Sequence, residues 1–552
     1  MLPTHFTNST ACYSRAASVP SFDEYGSRLR RTASDAFPSG IGWKRAGVWA
    51  RQLTFSLLLL ASLLCLTPFS IAVAAPAGLP DTSKMNLLFV IIEDCYAGVW
   101  GCYGNPICKT PNMDRFALTA MQFDRAYVQA VCCNPSRTSF LTGLRPLTSR
   151  VWNNGQVMSE QLPSGTLSLP ELLKKKGLHT AVIGKFFHTT EYARPQLAAF
   201  DRIEHYSPPP GWSGPPPIRK FQPVKSGERD PAPEDRNSQE YRLWRTRHSD
   251  RYGDSGKAPE EEGDYRISQT AVALLEEFAK TKQQFFLSVH QSRPHTPLIA
   301  PKNYIQMYDP SKIPDPPAPP SSLKDCPYPK RMTGGNPDIF TQGQPTPQQA
   351  REAIAAYYAC VSFVDDNVGR ILAALDKQGL ADNTIVFILG DHGWHLGDHG
   401  FWSKYSMLEG TRRAPLWVRI PGAPANGKVC REFVEFVDFV PTVGELLSLD
   451  VPKNLEGVSF APLLANPNKP WKQAVFMVQS PDEQVVRNKH YSYMELKKGP
   501  VPVALYDLEK DPWEIVNLAN DPGHAKVRGE MAALLSAGWK AALPPMSSGI
   551  AK

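Results

Sequence analysis

Three predominantly apolar runs constrain the fold of this 552-residue chain more than any other feature. They are rich in β-branched and aromatic residues and cover residues 86–92, 284–290 and 384–389. Such runs are typical of strands that are buried on both faces of a sheet. Helical patterns lie between them, clearest at residues 268–280 and in the segment that begins with Thr346 and Pro347. This order predicts an α/β fold with a mixed, mainly parallel sheet.

The length of the chain predicts more than one structural unit, because a single compact core rarely grows to this size. We expect a large α/β domain over residues 75–465 and a small C-terminal α+β subdomain over residues 466–552. Short strands are expected in the latter at 475–479, 491–495 and 504–508. Two stretches rich in Pro and Gly, 206–257 and 309–349, are predicted to be long loops, either ordered or acting as disordered spacers.

Residues 1–74 are interpreted as a signal peptide with a long N-terminal extension. An uncharged apolar run at 53–66 is followed by Ala72 and Ala74, and such small residues suit cleavage. An uncleaved anchor is the alternative, although the run is short for a membrane span. We expect an exported protein, periplasmic or secreted, with no stable membrane span after cleavage. No Asn-x-Ser/Thr acceptor follows residue 74, which favours a bacterial source.

The formal charge of +7 does not indicate a nucleic-acid partner. More than half of it comes from residues 1–52, so the remaining chain is only weakly basic. The cysteines that follow the leader are too scattered for a disulfide scaffold or for a zinc spacing. Cys102 and Cys108 flank a short turn and could bridge, but they are left unpaired here.

The segment around Cys133 combines a thiol, a proline and a guanidinium. Pro135 suits the first turn of a helix, which places Cys133 at its N-terminus. Free main-chain amides and the helix dipole favour negative charge there, and Arg137 adds donors that fit an oxyanion. We therefore interpret this stretch as an anion-cleaving centre whose thiol ionises readily. The alternative is a buried cysteine pair, Cys132 and Cys133, before an ordinary proline-capped helix.

Polar residues follow the predicted buried strands. Glu93 and Asp94 end the first run, and Asp391 and His392 follow the third. Ligands bind at the carboxyl ends of strands in open α/β sheets, so these side chains are candidate metal ligands, although Glu93 and Asp94 could instead cap a helix. Lys185 and His188 follow a strand at 180–184, and His295 follows the second run. A surface lysine and a packed histidine are the alternative for the first pair. We treat His290 as structural.

The segment from Cys133 to Arg137, followed by Leu141-Thr-Gly143, resembles the signature of the type I sulfatases, which depend on formylglycine. Gly184-Lys185 with His188, Arg293-Pro-His295, and the run from Trp394 to Lys404 resemble the iduronate-2-sulfatase-like branch of the alkaline phosphatase superfamily. The resemblance spans roughly residues 86–518. It implies the alkaline phosphatase-like α/β fold.

The resemblance also implies a mechanism. A formylglycine-generating enzyme would convert Cys133 to formylglycine, whose hydrate attacks the sulfur of a sulfate ester. Glu93, Asp94, Asp391, His392 and residue 133 would hold Ca²⁺ or Mg²⁺, with Glu93 standing where the pattern usually has aspartate. Lys185, Lys404 and Arg137 would neutralise the sulfuryl oxygens, and His295 would protonate the leaving alcohol. His188 would take a proton when sulfate is expelled.

Three functions are compatible with these patterns. The first is hydrolysis of sulfate esters on a uronate or hexose of a polysaccharide or glycosaminoglycan. The second is hydrolysis of phosphate or phosphonate esters with the same nucleophile and metal. The third is non-catalytic binding of sulfated glycans. Arg412 and Arg413 fit either a substrate carboxylate or structural ion pairs, and His395 and His399 have no role that the sequence supplies.

Overall fold

A computed structural model describes residues 78–188, 194–205, 213–214, 233, 235, 238–323, 338–341, 343–496 and 503–545. The expected signal peptide, residues 1–74, lies outside the described residues. The strands are β1 Asn86–Ile92, β2 Met121–Phe123, β3 Ala126–Tyr127, β4 His179–Ile183, β5 Arg202–Glu204, β6 Tyr252–Asp254, β7 Phe285–Gln291, β8 Leu298–Ala300, β9 Thr384–Gly390, β10 Leu416–Arg419, β11 Val429–Cys430, β12 Val434–Glu435, β13 Ala474–Ser480, β14 Glu483–Asn488, β15 Tyr491–Leu496 and β16 Val503–Asp507.

An eight-stranded sheet forms the centre of the described part, in the order β11-β2-β10-β9-β1-β7-β4-β5. The five strands from β9 to β5 are parallel, with β1 between β9 and β7. Strand β10 runs antiparallel to both β9 and β2. All seven residues of β1, β7 and β9 are buried. The predicted mixed, mainly parallel sheet is therefore confirmed.

Helices cover both faces of this sheet. They are Pro111–Ala117, Cys133–Thr142, Pro146–Ser149, Met158–Gln161, Leu169–Lys175, Arg194–Leu197, Gln239–His248, Gly263–Thr281, Lys302–Ile305, Pro347–Lys377, Glu409–Arg412, Phe439–Leu447, Ala461–Ala465 and Ala525–Ala537. Alternate residues of β1 enter two separate cores: Phe89 joins one with Phe140 and Phe439, and Val90 joins the other with Leu274 and Val361. Because both faces of these strands are buried, apolar residues predominate at successive positions rather than at alternate ones.

The longest helix, Pro347–Lys377, begins where the sequence predicts. Thr346 accepts a hydrogen bond from the amide of Gln349, and the Gln349 side chain accepts one from the amide of Thr346. Pro347 occupies the first turn, where its missing amide costs nothing. A second capping box, Ser168 with Glu171, starts the helix Leu169–Lys175. Within the described residues no helix combines the length and apolar character needed to cross a bilayer.

The C-terminal part contains an antiparallel four-stranded sheet, β13-β14-β15-β16, with the helix Ala525–Ala537 packed on it. The three short strands predicted there are confirmed, and β14 was missed. The boundary at residue 466 stays a prediction. The loop prediction for 206–257 is wrong over part of that stretch, because Gln239–His248 is a helix and β6 follows it. Ser238 starts this helix by accepting a hydrogen bond from the amide of Tyr241.

Candidate active site

The predicted site residues meet at the carboxyl ends of the central parallel strands. Glu93 and Asp94 follow β1, Asp391 follows β9, and Lys185 follows β4 after Gly184. Register explains the meeting: Ile92 pairs with Gly390, and the amide of Asp94 donates to Asp391 Oδ1 at 3.0 Å. The ends of parallel neighbours share one edge of a sheet, so the motifs converge although they are far apart in the chain.

The helix Cys133–Thr142 presents the thiol of Cys133 to this edge. All ten of its residues are buried. The Cys133 Sγ atom lies 3.3 Å from His392 Nε2, 3.6 Å from Glu93 Oε1 and 3.6 Å from Lys404 Nζ. Asp94 Oδ1 is 3.9 Å away. The thiol is therefore at the centre of the candidate site.

The prediction that this thiol ionises readily is wrong for the structure. Burial raises the pKa of Cys133 well above its ordinary value, and the neighbouring charges of Asp391 and Asp94 act in the same direction. Lys404 alone does not outweigh them, although it lowers the pKa. The helix N-terminus predicts a stabilised thiolate only where water or cations dominate the surroundings. Here desolvation and carboxylates dominate.

Each of the three buried carboxylates at this edge has a cationic partner. Lys404 Nζ is 2.9 Å from both oxygens of Asp94, and Lys185 Nζ contacts Glu93 Oε1. Arg137 binds Asp391 Oδ2 through Nε at 3.1 Å and Nη2 at 3.0 Å. Its Nη1 donates to the carbonyls of Lys185 and Phe186 at 2.9 and 3.0 Å. The guanidinium thus fixes a carboxylate and the segment that carries Lys185.

The donor set fits a divalent cation. Ligand atoms of Asp94, Cys133 and His392 lie within 4.8 Å of one another, and so do those of Glu93, Cys133 and Asp391. Several buried carboxylates in so small a volume are costly unless cations neutralise them. Carboxylate oxygens predominate, as Ca²⁺ and Mg²⁺ prefer, while His392 contributes nitrogen, which is less usual for both. All five predicted metal-binding residues are therefore brought together.

His295 lies at the same edge, with its Nε2 3.7 Å from Asp94 Oδ2. Its side chain is 37% exposed, so this side of the site is accessible. Its Nδ1 is 2.8 Å from the carbonyl oxygen of Thr296. Desolvation of the ring and the charges of Lys404 and Lys185 lower the pKa of His295 to about 3. The imidazole is therefore neutral at physiological pH in the absence of added negative charge.

His188 belongs to the same electrostatic environment. Burial lowers its pKa to about 2, and the charges of Lys185, Lys404 and Arg137 lower it further. Burial also lowers the pKa of Lys185 to about 7, against the charge of Asp391. The six residues predicted to be catalytic, namely Cys133, Arg137, Lys185, His188, His295 and Lys404, therefore lie in one region.

Three further residues at this site had no assigned role. His290 was treated as structural, but its Nε2 lies 3.2 Å from Glu93 Oε2. Asp338 accepts a hydrogen bond from Trp394 Nε1 at 3.3 Å, and its charge acts on His295 and Lys404. Tyr405 is close enough for Cys132 and Asp338 to affect its pKa, which burial raises. Asp338 lies in a Pro-rich stretch without a recognisable motif, so sequence patterns could not identify it.

The open alternatives for the arginines resolve in favour of structural ion pairs. Arg412 is buried and binds Glu514 at 2.7 Å and Glu409 at 2.9 Å. Arg413 binds Asp124 at 2.7 Å. His395 contacts Asp398 and Ser406, and His399 Nδ1 is 2.8 Å from Ser322 Oγ. The described cysteines, including Cys102 and Cys108, are free thiols.

Comparisons with known proteins agree with this geometry. The Sulfatase family model matches residues 85–449, and the C-terminal model of N-sulphoglucosamine sulphohydrolase matches residues 397–540. Iduronate 2-sulfatase from Mus musculus is 32% identical over 452 residues, covering 75% of this chain and 76% of the relative. A sulfatase from Formosa agariphila is 30% identical over 456 residues, covering 80% and 84%.

Among solved structures, the phosphonate monoester hydrolase of Silicibacter pomeroyi has a TM-score of 0.66 at 22% identity. The match covers 84% of this chain and 97% of that one, which shows the fold. The predicted alkaline phosphatase-like α/β fold with a small C-terminal subdomain is therefore confirmed. The family match covers well over half of the chain and contains every predicted site residue. This chain belongs to the sulfatase family and is a sulfuric ester hydrolase.

Proposed function

We propose that this sulfatase removes sulfate from a uronate or hexose residue of a sulfated polysaccharide or glycosaminoglycan, as an iduronate-2-sulfatase-like enzyme. The observation that carries the proposal is the position of Cys133 Sγ among Lys404, His392 and the strand-end carboxylates. The similarity to iduronate 2-sulfatase over three quarters of the chain supports the substrate class.

Lys185 and Lys404 supply the positive charge that a sulfate ester requires. Both now neutralise carboxylates, and both can turn towards an anion that enters beside Cys133. A preorganised positive charge stabilises the negative charge that develops on the sulfuryl oxygens during sulfuryl transfer. Arg137 positions Asp391 and the main chain of Lys185 through its hydrogen bonds. Its positive charge adds to that of the two lysines.

Proton transfer is assigned to two histidines. His295 is the more exposed of the site residues and lies where a leaving alcohol could reach water, so it protonates the leaving oxygen. An entering sulfate adds negative charge, which raises the pKa of His295 from its low value towards the range a general acid needs. The same added charge raises the pKa of His188 from the low value set by burial and by Lys185, and His188 then accepts the proton when sulfate is expelled.

The proposal includes two groups and a maturation partner. Formylglycine at position 133 would supply the nucleophile, and a divalent cation held by Glu93, Asp94, Asp391 and His392 would supply Lewis-acid stabilisation. Ca²⁺ is the preferred ion and Mg²⁺ the second choice. A formylglycine-generating enzyme is the partner that modifies Cys133. Export to the periplasm or the medium of a bacterium is also part of the proposal, based on the apolar run at 53–66.

The test compares esters that differ only in the transferred group. Protein made in a host with a formylglycine-generating enzyme is assayed with an aryl sulfate, an aryl phosphate and an aryl phosphonate. We expect the highest kcat/KM with the aryl sulfate. A higher value with either phosphorus ester would establish the alternative hydrolase function. Absence of turnover by protein that carries the aldehyde would favour the glycan-binding function.

The substrate class is tested with sulfated disaccharides. Uronate-2-sulfate and hexosamine-6-sulfate at the non-reducing end are offered separately, and released inorganic sulfate is measured. We expect release from at least one terminal sugar. Desulfation confined to simple aryl esters would contradict the carbohydrate assignment while leaving sulfate ester hydrolysis intact.

A further inference from the structure

We propose that His290 is a positioning residue for the metal site, because its buried Nε2 lies beside one carboxylate oxygen of Glu93 while the other oxygen faces Cys133. This inference rests on the proposed function, since it concerns the divalent cation that the function uses. It assigns a role to a buried histidine that neither the motifs nor the proposed chemistry uses.

The sheet register brings the two side chains together. Strands β1 and β7 are parallel neighbours in which Ile91 pairs with His290. The pairing continues past the end of β1, because the amide of Glu93 donates to the carbonyl of Gln291 at 3.0 Å. Side chains alternate between the faces of a strand, so Ile91, Glu93 and His290 share one face. Their proximity is therefore built into the central sheet.

The two carboxylate oxygens of Glu93 have different neighbours. Oε2 lies 3.2 Å from His290 Nε2, whereas Oε1 contacts Lys185 Nζ and lies 3.6 Å from Cys133 Sγ. Among the described residues His290 Nε2 has no hydrogen-bond partner, and Glu93 Oε2 is the only carboxylate oxygen within 4.0 Å of it, so a small rotation of either side chain would align the two for a hydrogen bond. The ring is 3% exposed, so Glu93 Oε2 is the acceptor within reach of this buried nitrogen.

Gly184 leaves the space that the histidine ring occupies. Its φ of +76° already favours glycine. A Cβ at this position would lie 3.3 Å from His290 Cβ and 3.6 Å from His290 Nδ1. The first of these contacts is shorter than an ordinary van der Waals contact between two carbon atoms. The same glycine precedes Lys185, the other partner of Glu93. One turn therefore admits the ring and presents the lysine.

Glu93 needs a second residue to fix its orientation, because Lys185 also has to bind the substrate. Lys185 is assigned to the sulfuryl oxygens, so it cannot hold Glu93 throughout turnover. Glutamate also has one more rotatable bond than the aspartate of the resembled pattern, and fixing it costs more conformational entropy. A hydrogen bond from outside the ligand shell orients a ligating carboxylate, and its loss typically weakens metal binding 10–100-fold.

The test measures Ca²⁺ binding to the metal-stripped full-length protein by isothermal titration calorimetry. We expect His290→Ala to raise the Kd for Ca²⁺ about 10–100-fold. His290→Gln should retain most of the affinity, because its amide N–H reaches a similar position. His290→Asn, which is polar but shorter, should behave like His290→Ala. Ser288→Ala is the matched control, since Ser288 lies on the same face of β7, is buried and lacks contact with Glu93.

A double-mutant cycle establishes whether His290 acts through Glu93. In a Glu93→Asp background the shorter carboxylate falls short of the ring, so adding His290→Ala should change the Kd little. An unchanged Kd in His290→Ala, or an equal loss in the Glu93→Asp background, would overturn the inference. These titrations require no turnover. A protein that binds Ca²⁺ as expected but leaves sulfate esters intact would contradict the proposed function alone.

Discussion

Two buried clusters of charge in this molecule have the same components and different surroundings. The active-site cluster consists of Glu93, Asp94 and Asp391 with Lys185, Lys404 and Arg137. The Glu435 cluster consists of Glu435 and Asp438 with Arg145 and Lys472, beside the first strand of the C-terminal sheet. Both pair each carboxylate with cations. The first encloses a thiol and neutral histidines, and it borders the partly exposed side chain of His295.

Both carboxylates of the Glu435 cluster accept hydrogen bonds from within the protein. Arg145 binds both oxygens of Glu435 at 2.8 and 2.6 Å, and Lys472 binds Asp438 at 2.7 Å. The amides of Phe476 and Val458 donate to the remaining lone pairs. If Arg145 or Lys472 moved to another partner, a buried carboxylate would lose a hydrogen bond. In the proposed function the lysines of the active-site cluster exchange a carboxylate for an anion, and the carboxylates bind a cation. On that proposal, buried charge serves stability in one place and ligand exchange in the other.

Replacing Cys133 should have the largest effect on activity and should leave the stability of the protein nearly unchanged. Cys133→Ala should lower kcat/KM for an aryl sulfate by roughly 10⁴-fold or more, because the nucleophile is lost. Its unfolding temperature should stay close to that of the unaltered protein. Cys430→Ala, at a buried thiol on β11 that is distant in the chain, is the control and should keep activity. Undiminished sulfate release by Cys133→Ala would defeat the mechanism.

Breaking the Glu435 cluster should have the opposite signature. Glu435→Ala leaves Arg145 and Lys472 buried without their shared partner, which should lower the free energy of unfolding by about 3–5 kcal/mol. Urea denaturation measures the loss, and kcat per folded molecule should be preserved. Glu530→Ala, which removes an exposed pair with Lys526, should leave stability unchanged. A Glu435→Ala protein with normal stability but impaired turnover would show that the two clusters are not separate in function.

Removing a cation from the active-site cluster should lower activity per folded molecule, in addition to the stability that is lost because buried Asp94 loses its partner. Lys404→Met keeps most of the side-chain volume and should lower kcat/KM about 10²–10³-fold, as loss of a preorganised charge typically does. Lys174→Met, at an exposed pair with Asp201, is the matched control. Steady-state kinetics and thermal unfolding are measured on both. Activity within a few-fold of normal in Lys404→Met would remove Lys404 from the assigned chemistry.

The pH dependence of stability should report the Glu435 cluster. Although burial raises the pKa of Glu435, Arg145 and Lys472 outweigh it and hold the pKa at about 2, below the ordinary 4.5. The unfolded chain therefore binds this proton first as the pH falls. The stabilisation is fully present above about pH 4.5 and is lost as the pH falls towards 2.

Glu435→Gln removes this titration. Between pH 4.5 and 3 its unfolding free energy should decline less steeply than that of the unaltered protein, by up to about 1.4 kcal/mol per pH unit. Urea denaturation at several pH values measures the slope. Identical slopes in the two proteins would show that the pairing of Glu435 does not govern acid stability.

The sequence predicts the position of the site because its signals are local. Apolar runs identify β1, β7 and β9, and the polar residues that follow them converge because parallel strands end at a common edge. Asp94 and Asp391 could be named in this way, Cys133 from its place at a helix N-terminus, and Lys404 only from the family resemblance. The raised pKa of the Cys133 thiol could not be predicted, since desolvation depends on all the elements that cover Cys133.

Other features depend on pairings that the sequence does not display. The contact of His290 with Glu93 follows from the register of β1 and β7, and residue spacing leaves that register undetermined. The helix Gln239–His248 lies in a Pro-rich stretch whose composition suggests loops, although Ser238 caps it in the ordinary way. Strand β14 has only two apolar residues, the adjacent pair Val485 and Val486, so it lacks a strand pattern of its own and depends on pairing with its neighbours β13 and β15.

The most direct test of the site is the chemical state of residue 133. Protein exported from a host with a formylglycine-generating enzyme is digested, and the peptide that contains residue 133 is weighed by mass spectrometry. We expect that peptide to be lighter by the difference between a CH₂SH and a CHO group, and to react with a hydrazide probe. A peptide that retains the thiol, in a host whose other sulfatases are converted, would contradict the assignment of Cys133 as the precursor of the nucleophile.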